Sequence, residues 1–137
     1  MFHTKIVPRI SETDALGHIN NTVLSVWFDE ARRPIYEIFT PGLARENWCL
    51  IMARSEIDVV GQIFLGGDVG ISTAIERLGS SSIIFAQEAE QGDRVVARSR
   101  ATWVHFNFET QKPKPIPDDL RRRLNESDAF SNPETAT

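Results

Sequence analysis

Asp14-Ala15-Leu16-Gly17-His18-Ile19-Asn20-Asn21 runs straight into Thr22–Phe39, where Val23, Val26, Trp27, Ala31, Ile35, Ile38 and Phe39 recur at helical spacing. Leu24 and Phe28 widen that stripe, which predicts a helix covered on more than one side. Asn20, Asn21 and Thr22 are capping residue types at its start. A carboxylate and an imidazole therefore stand at the mouth of a buried helix, where free N–H groups and the positive dipole end favour an oxygen that becomes anionic during attack. Pro34 cannot donate to a helical carbonyl and clashes one turn back, so the spacing predicts a kink or break near Arg33. Thr40-Pro41-Gly42 ends the element.

Outward from the helix the chain reads as strands. Residues 3–10 form a first strand with Pro8 at an edge or bulge. Trp48–Val60 alternates, with Cys49, Ile51, Ala53, Ile57 and Val59 on one face and Arg54, Glu56 and Asp58 on the other. Residues 68–78, 82–90 and 94–106 follow, separated by the Gly66-Gly67, Gly79–Ser81 and Gly92-Asp93 turns. No second helix is long enough to cross over between parallel strands. The economical fold is thus α+β, a five-stranded antiparallel sheet wrapped around one long central helix. Asp118–Leu124 predicts a short terminal helix, and residues 125–137 read as a polar, disordered tail.

With 137 residues, 41% hydrophobic and 25% charged, the chain has the composition and length of one globular domain, placed at residues 1–124. So short a chain makes a shallow cleft unless a second copy supplies a wall, so a homodimer or homotetramer is expected. The net charge of −4 argues against nucleic-acid binding. No stretch is long and apolar enough for a membrane span or a signal core. Cys49, the lone cysteine between Trp48 and Leu50, fits a buried thiol in a reducing compartment, and the cytoplasm is the expected location. His3, His18 and His105 lack ligand spacing, so neither a metal nor another cofactor is expected. Serine-elbow, phosphate-loop and dinucleotide motifs are missing as well.

The block Ser11-Glu12-Thr13-Asp14-Ala15-Leu16-Gly17-His18-Ile19-Asn20-Asn21 running into Trp27-Phe28-Asp29-Glu30-Ala31-Arg32 resembles the hotdog-fold acyl-CoA thioesterases, in the branch of 4-hydroxybenzoyl-CoA thioesterase and the YbgC-like enzymes. Ser55-Glu56-Ile57-Asp58, Leu78-Gly79-Ser80-Ser81-Ser82 and Lys112–Pro117 extend the likeness over most of the chain. The resemblance implies a hotdog fold, two subunits sharing one continuous sheet, sites at their interface, and acyl-CoA or acyl-ACP as substrate. It also implies that Asp14 is catalytic, as nucleophile or general base, with the amide at about Asn21 polarising the carbonyl. The Asp14–His18 spacing is similar to that of the plant acyl-ACP thioesterases, although Leu16 stands where their motif carries Asn.

Within that reading His18 would orient the thioester or Asp14, or protonate the leaving group. Gly17 would turn the backbone sharply beside the substrate, Asn20 would line the site as well as cap the helix, and Ser81 and Ser82 would line the pantetheine channel. An Asp ahead of a helix is, in isolation, more often a cap than a catalyst. Glu30 reads better as one half of an ion pair with Arg33 or Arg54 than as a second acid. Arg121, Arg122 and Arg123, with Lys112 and Lys114, offer charge to CoA phosphates, though such runs are usually solvated. The rival function is a non-catalytic acyl-thioester binder or scaffold on the same fold.

Overall fold

The computed structural model describes residues 1–130. Its elements are β1 (Phe2–Ile6), α1 (Leu24–Ala31), α2 (Arg33–Phe39), β2 (Leu50–Val59), β3 (Val69–Leu78), β4 (Ser82–Gln91), β5 (Arg94–Asn107), β6 (Lys112–Pro113) and α3 (Asp118–Asn125). The strands form one antiparallel sheet in the order β1-β3-β4-β5-β2, with the two-residue β6 added beside β5. The sheet curls as a half-barrel over α1 and α2. No helix of the described residues is long and apolar enough to cross a membrane.

The expected long central helix is two short ones. At Arg32 the backbone N–H bonds the Asp29 carbonyl at 3.1 Å, three residues back, and Pro34 falls in the first turn of α2, where its missing N–H costs nothing. The break is mended from the sheet. Gln87 Nε2 donates to the Phe28 carbonyl at 2.9 Å and to Thr73 Oγ1 at 3.0 Å, while Gln87 Oε1 accepts from Arg32 Nε at 3.0 Å. Arg32 is 1% exposed, and its guanidinium lies 5.8 Å from the ring centroids of both Phe85 and Trp103.

This polar layer divides the core. On one side Leu24, Trp27, Phe28 and Ala31 of α1 pack on Val69, Ile71, Ala89, Val96 and Ala97. On the other Ile35, Tyr36 and Phe39 of α2 pack on Ile83, Phe85, Trp103, Leu120 and Leu124. Val26, expected in the buried stripe, is 61% exposed, because the apolar arc of α1 is centred on Leu24, Trp27, Phe28 and Ala31.

The expected inner face of β2 holds at Ile57 and Val59 and is revised before them. Met52 opposes Trp103 and Arg54 opposes Thr102, so Ala53 is a bulge, and one extra residue reverses which side chains face the helices. Leu50 and Met52, then Ser55, Ile57 and Val59, stand opposite β5's inward residues, whereas Ile51 is turned outward with Arg54. β2 is an edge strand, so most of it remains exposed. Past α3, residues 126–130 do not trail away. Ala129 is fully buried, its carbonyl accepts the Ile75 N–H at 2.6 Å, and Phe130 bridges to Ile75. The rest of the expected tail, 131–137, lies outside the described residues.

Candidate active site

The segment between β1 and α1 folds into a closed loop. Thr13 and Ile19 form an antiparallel bridge, the Asp14 N–H donates to the His18 carbonyl at 2.7 Å, and Gly17 takes φ +79°, a left-handed turn that suits glycine. Asp14 Oδ1 accepts the Leu16 N–H at 2.8 Å and the His18 N–H at 3.1 Å. Among the described residues Oδ2 has no hydrogen-bond partner. The carboxylate is thus oriented through one oxygen and free at the other.

Asn20 Oδ1 accepts from Thr22 N and Thr22 Oγ1, both at 3.0 Å, so Asn20 is the helix cap its residue type predicts. A single 3-10 turn, Asn21–Val23, precedes α1, and the first N–H of that turn, on Asn21, donates to no group among the described residues. Asp14, His18, Asn20, Asn21 and Leu24 line one side of a cavity of about 490 Å³, and residues 59–63 line the other. The second wall is fastened to the first: Ile19 N–H bonds the Ile63 carbonyl at 2.8 Å, and His18 bridges to Phe64, whose ring it meets edge-on at 5.3 Å. Gln91 holds that wall through Phe64 N, Phe64 O and Gly67 O.

The fold therefore brings Asp14, His18, Asn20 and Asn21 together, with Gly17 at the turn between them. It does not bring Ser81 and Ser82 to them within one chain. Ser82 is level with Val104 of β5, whereas the cavity wall at Val59 is level with Ala97, seven residues or about 23 Å away along the strand. Glu30 pairs with Arg33 at 3.2 Å, as its sequence position favoured. Arg121 is occupied: it donates to the Gly79 carbonyl at 2.6 Å, the Ser80 carbonyl at 3.1 Å and the Ile116 carbonyl at 3.2 Å. Arg122 and Arg123 are exposed. Among the described residues no three His, Cys, Asp or Glu side chains cluster as metal ligands.

Sequence reasoning passed over the wall at 59–63, which carries a turn glycine, one glutamine and apolar residues, with no pattern that points to a site, and gains meaning through long-range pairing. It also gave no separate role to Glu12. Glu12 is 6% exposed, and its carboxylate accepts from Trp27 Nε1 at 2.7 Å and from Arg9 N at 2.8 Å. Burial pushes this carboxyl up, but the Trp27 and Arg9 donors outweigh it and hold its pKa below the ordinary value.

A curled antiparallel sheet over a broken helix, with the Asp14 carboxylate and Asn21 lining one cavity at the helix start, is the architecture of a hotdog-fold protein. The model of the thioesterase-like superfamily matches residues 8–124, and the chain belongs to that superfamily, the hotdog-fold thioesterases. A predicted thioesterase from Bacillus stearothermophilus is similar at 45% identity and TM-score 0.91, covering 96% of this chain and 98% of that one. A thioesterase from Thermus thermophilus, solved with coenzyme A and Zn, is similar at 25% identity and TM-score 0.80, covering 89% and 95%. The protein YsmA of Bacillus subtilis (strain 168) is 27% identical over 82 residues, 60% of this chain and 56% of that protein, so the match spans little more than half of that relative.

Proposed function

We propose that the chain hydrolyses an acyl-CoA thioester to free acid and thiol at the Asp14 cavity. The observation that carries this reading is that Asp14 and Asn21 line the same space, the first with one carboxylate oxygen and the second with an N–H that meet no partner among the described residues. The Asn21 amide would polarise the thioester carbonyl and stabilise the oxyanion formed on attack. Asp14 would then act by one of two routes. As nucleophile, its free oxygen bonds the acyl carbon, the C–S bond breaks with release of the thiolate, and water hydrolyses the mixed anhydride. As general base, it takes a proton from the water that attacks the same carbon. His18 would orient the thioester or Asp14, or protonate the departing sulfur.

Asp14 is exposed in the single chain, and electrostatic help of this kind is strongest where water is excluded. A second copy is the natural cover. β2 has one free edge, with Ile51, Met52 and Val59 on the strand and Val60 just past it exposed, so the edge is available to pair with a second copy. A homodimer joined there continues the sheet and encloses the cavity wall at residues 59–60, and Ser81 and Ser82 would reach a site only from the other subunit. The buried thiol of Cys49 agrees with a cytoplasmic enzyme.

Thiol release from a panel of short, long and aromatic acyl-CoA substrates tests the reading. Replacing Asp14 by Asn should lower turnover at least about a hundredfold with the fold intact, the usual scale for such a group. A variant that keeps most of its activity removes Asp14 from the mechanism. One observation favours a second reading: Asp14 Oδ1 is engaged as an ordinary turn acceptor on an exposed loop. A non-catalytic acyl-thioester binder would hold acyl-CoA tightly and release no thiol.

A further inference from the structure

We propose that Glu12 is a positioning residue for the Asp14 site, its buried carboxylate fixing the Asp14–Asn20 loop onto the start of α1 through the Trp27 indole. The kinetic part of this inference rests on the thioesterase reading above; the geometric part stands without it.

Ile19 and His18 fasten the far shoulder of the loop to Ile63 and Phe64, but its tip packs on little. Ala15, Leu16 and Gly17 are exposed, Leu16 at 79%, so the loop makes few apolar contacts between Asp14 and Ile19. Glu12 sits at its first shoulder and reaches three anchors. Its backbone carbonyl accepts the Asn20 N–H at 2.8 Å, which joins the two shoulders. Oε1 accepts the Arg9 N–H at 2.8 Å, with the Arg9 guanidinium 3.5 Å from Oε2. Oε2 accepts Trp27 Nε1 at 2.7 Å, inside the core, where Trp27 is 4% exposed and packs with Ile19, Leu24 and Ile63.

Capping the short turn at Ile10–Glu12 uses only one of these oxygens. The other is directed to a residue on α1, six positions beyond the amide proposed to bind the carbonyl oxygen. A buried carboxylate is an expensive way to fill space, and an apolar side chain would fill it without fixing an angle. The carboxylate suits this role because both partners, the Arg9 amide and the Trp27 indole, are donors. Glutamine has one acceptor oxygen and would set its NH2 against one of them. Catalysis depends on the spacing of Asp14 and Asn21, and a shift of about 1 Å in such a pair can lower the rate about a hundredfold.

The test uses Glu12→Gln, Trp27→Phe and the double variant. Thiol release with acyl-CoA should show kcat lowered about tenfold or more in each single variant with KM within about twofold. The double variant should be no slower than the slower single one, as expected of two groups acting as a unit. In the free protein, the Trp27 indole N–H proton resonance should move upfield in Glu12→Gln, and exchange of the Asn20 amide should speed up about tenfold in both single variants. Trp27→Phe keeps an aromatic ring in the core and carries the test alone should Glu12→Gln fail to fold. Folded variants with unchanged kcat, or losses that multiply in the double variant, overturn the positioning role. If the unmodified protein releases no thiol, the thioesterase reading fails; the clamp is then decided by the indole resonance and Asn20 exchange, and unchanged values overturn it.

Discussion

Replacing Gln87 by Met tests whether the sheet, and not the helix itself, holds the break at Arg32. Methionine preserves volume and removes three hydrogen bonds, leaving the Phe28 carbonyl, the Thr73 hydroxyl and the Arg32 Nε without their Gln87 partner; Phe28 and Thr73 are 0% exposed and Arg32 is 1% exposed. A hydrogen bond to a charged group contributes about 2 kcal/mol and each neutral one about 1 kcal/mol, so the expected loss is about 4 kcal/mol. That is a large share of the roughly 5–15 kcal/mol that stabilises a domain. Urea unfolding should show a lower midpoint with an unchanged slope, since the same surface is exposed. Replacing Arg32 by Met as well should recover part of the loss, because the buried guanidinium Nε–H left without an acceptor is then gone; the ion pair of Arg32 with Asp29 at 3.4 Å, lost with it, keeps the recovery partial. A loss below about 1 kcal/mol in Gln87→Met would refute the reasoning, for it would mean that the freed groups find partners or water without the glutamine.

Two shorter predictions complete the set. His105 is 4% exposed, and burial lowers its pKa, partly offset by the contact of Nδ1 with the Lys114 carbonyl at 3.1 Å. The folded state therefore binds this proton less readily than the unfolded chain. Stability from His105 is complete above the unfolded value of about 6.5 and falls as pH drops through and below it; thermal unfolding from pH 7.5 to 5.5 should show the decline, and His105→Gln should flatten it. Arg121→Ala should lower stability by about 1–2 kcal/mol through loss of its bonds to Gly79, Ser80 and Ile116, with the KM for acyl-CoA unchanged; a raised KM at unchanged stability would return the residue to phosphate binding.

The parts of the site that were legible are those whose signal is local. Asn20 caps the helix because an amide oxygen two residues ahead of a free N–H can do little else, and Gly17 takes the left-handed turn that other residues resist. Pro34 announced the break near Arg33 for the same reason, since a missing N–H acts within one turn. The length of the helix, the inner face of the first half of β2 and the place of residues 126–130 were misread because each depends on a distant partner. Gln87 stabilises a break that would otherwise cost more, the Ala53 bulge reverses a face without a glycine to mark it, and Ala129 is buried in the cluster around Ile75 and Leu124 while its carbonyl accepts the Ile75 N–H.

The order of elements, the antiparallel sheet and the carboxylate at the mouth of a helix were determined by the sequence, because periodicity, capping and turn chemistry are set by residues within a few positions of one another. Which wall faces Asp14, which buried carboxylate steadies its loop, and how far Ser81 and Ser82 lie from it were decided by the tertiary structure alone. Those relations join residues tens of positions apart, and only the register of the sheet and the closure of the core bring them together.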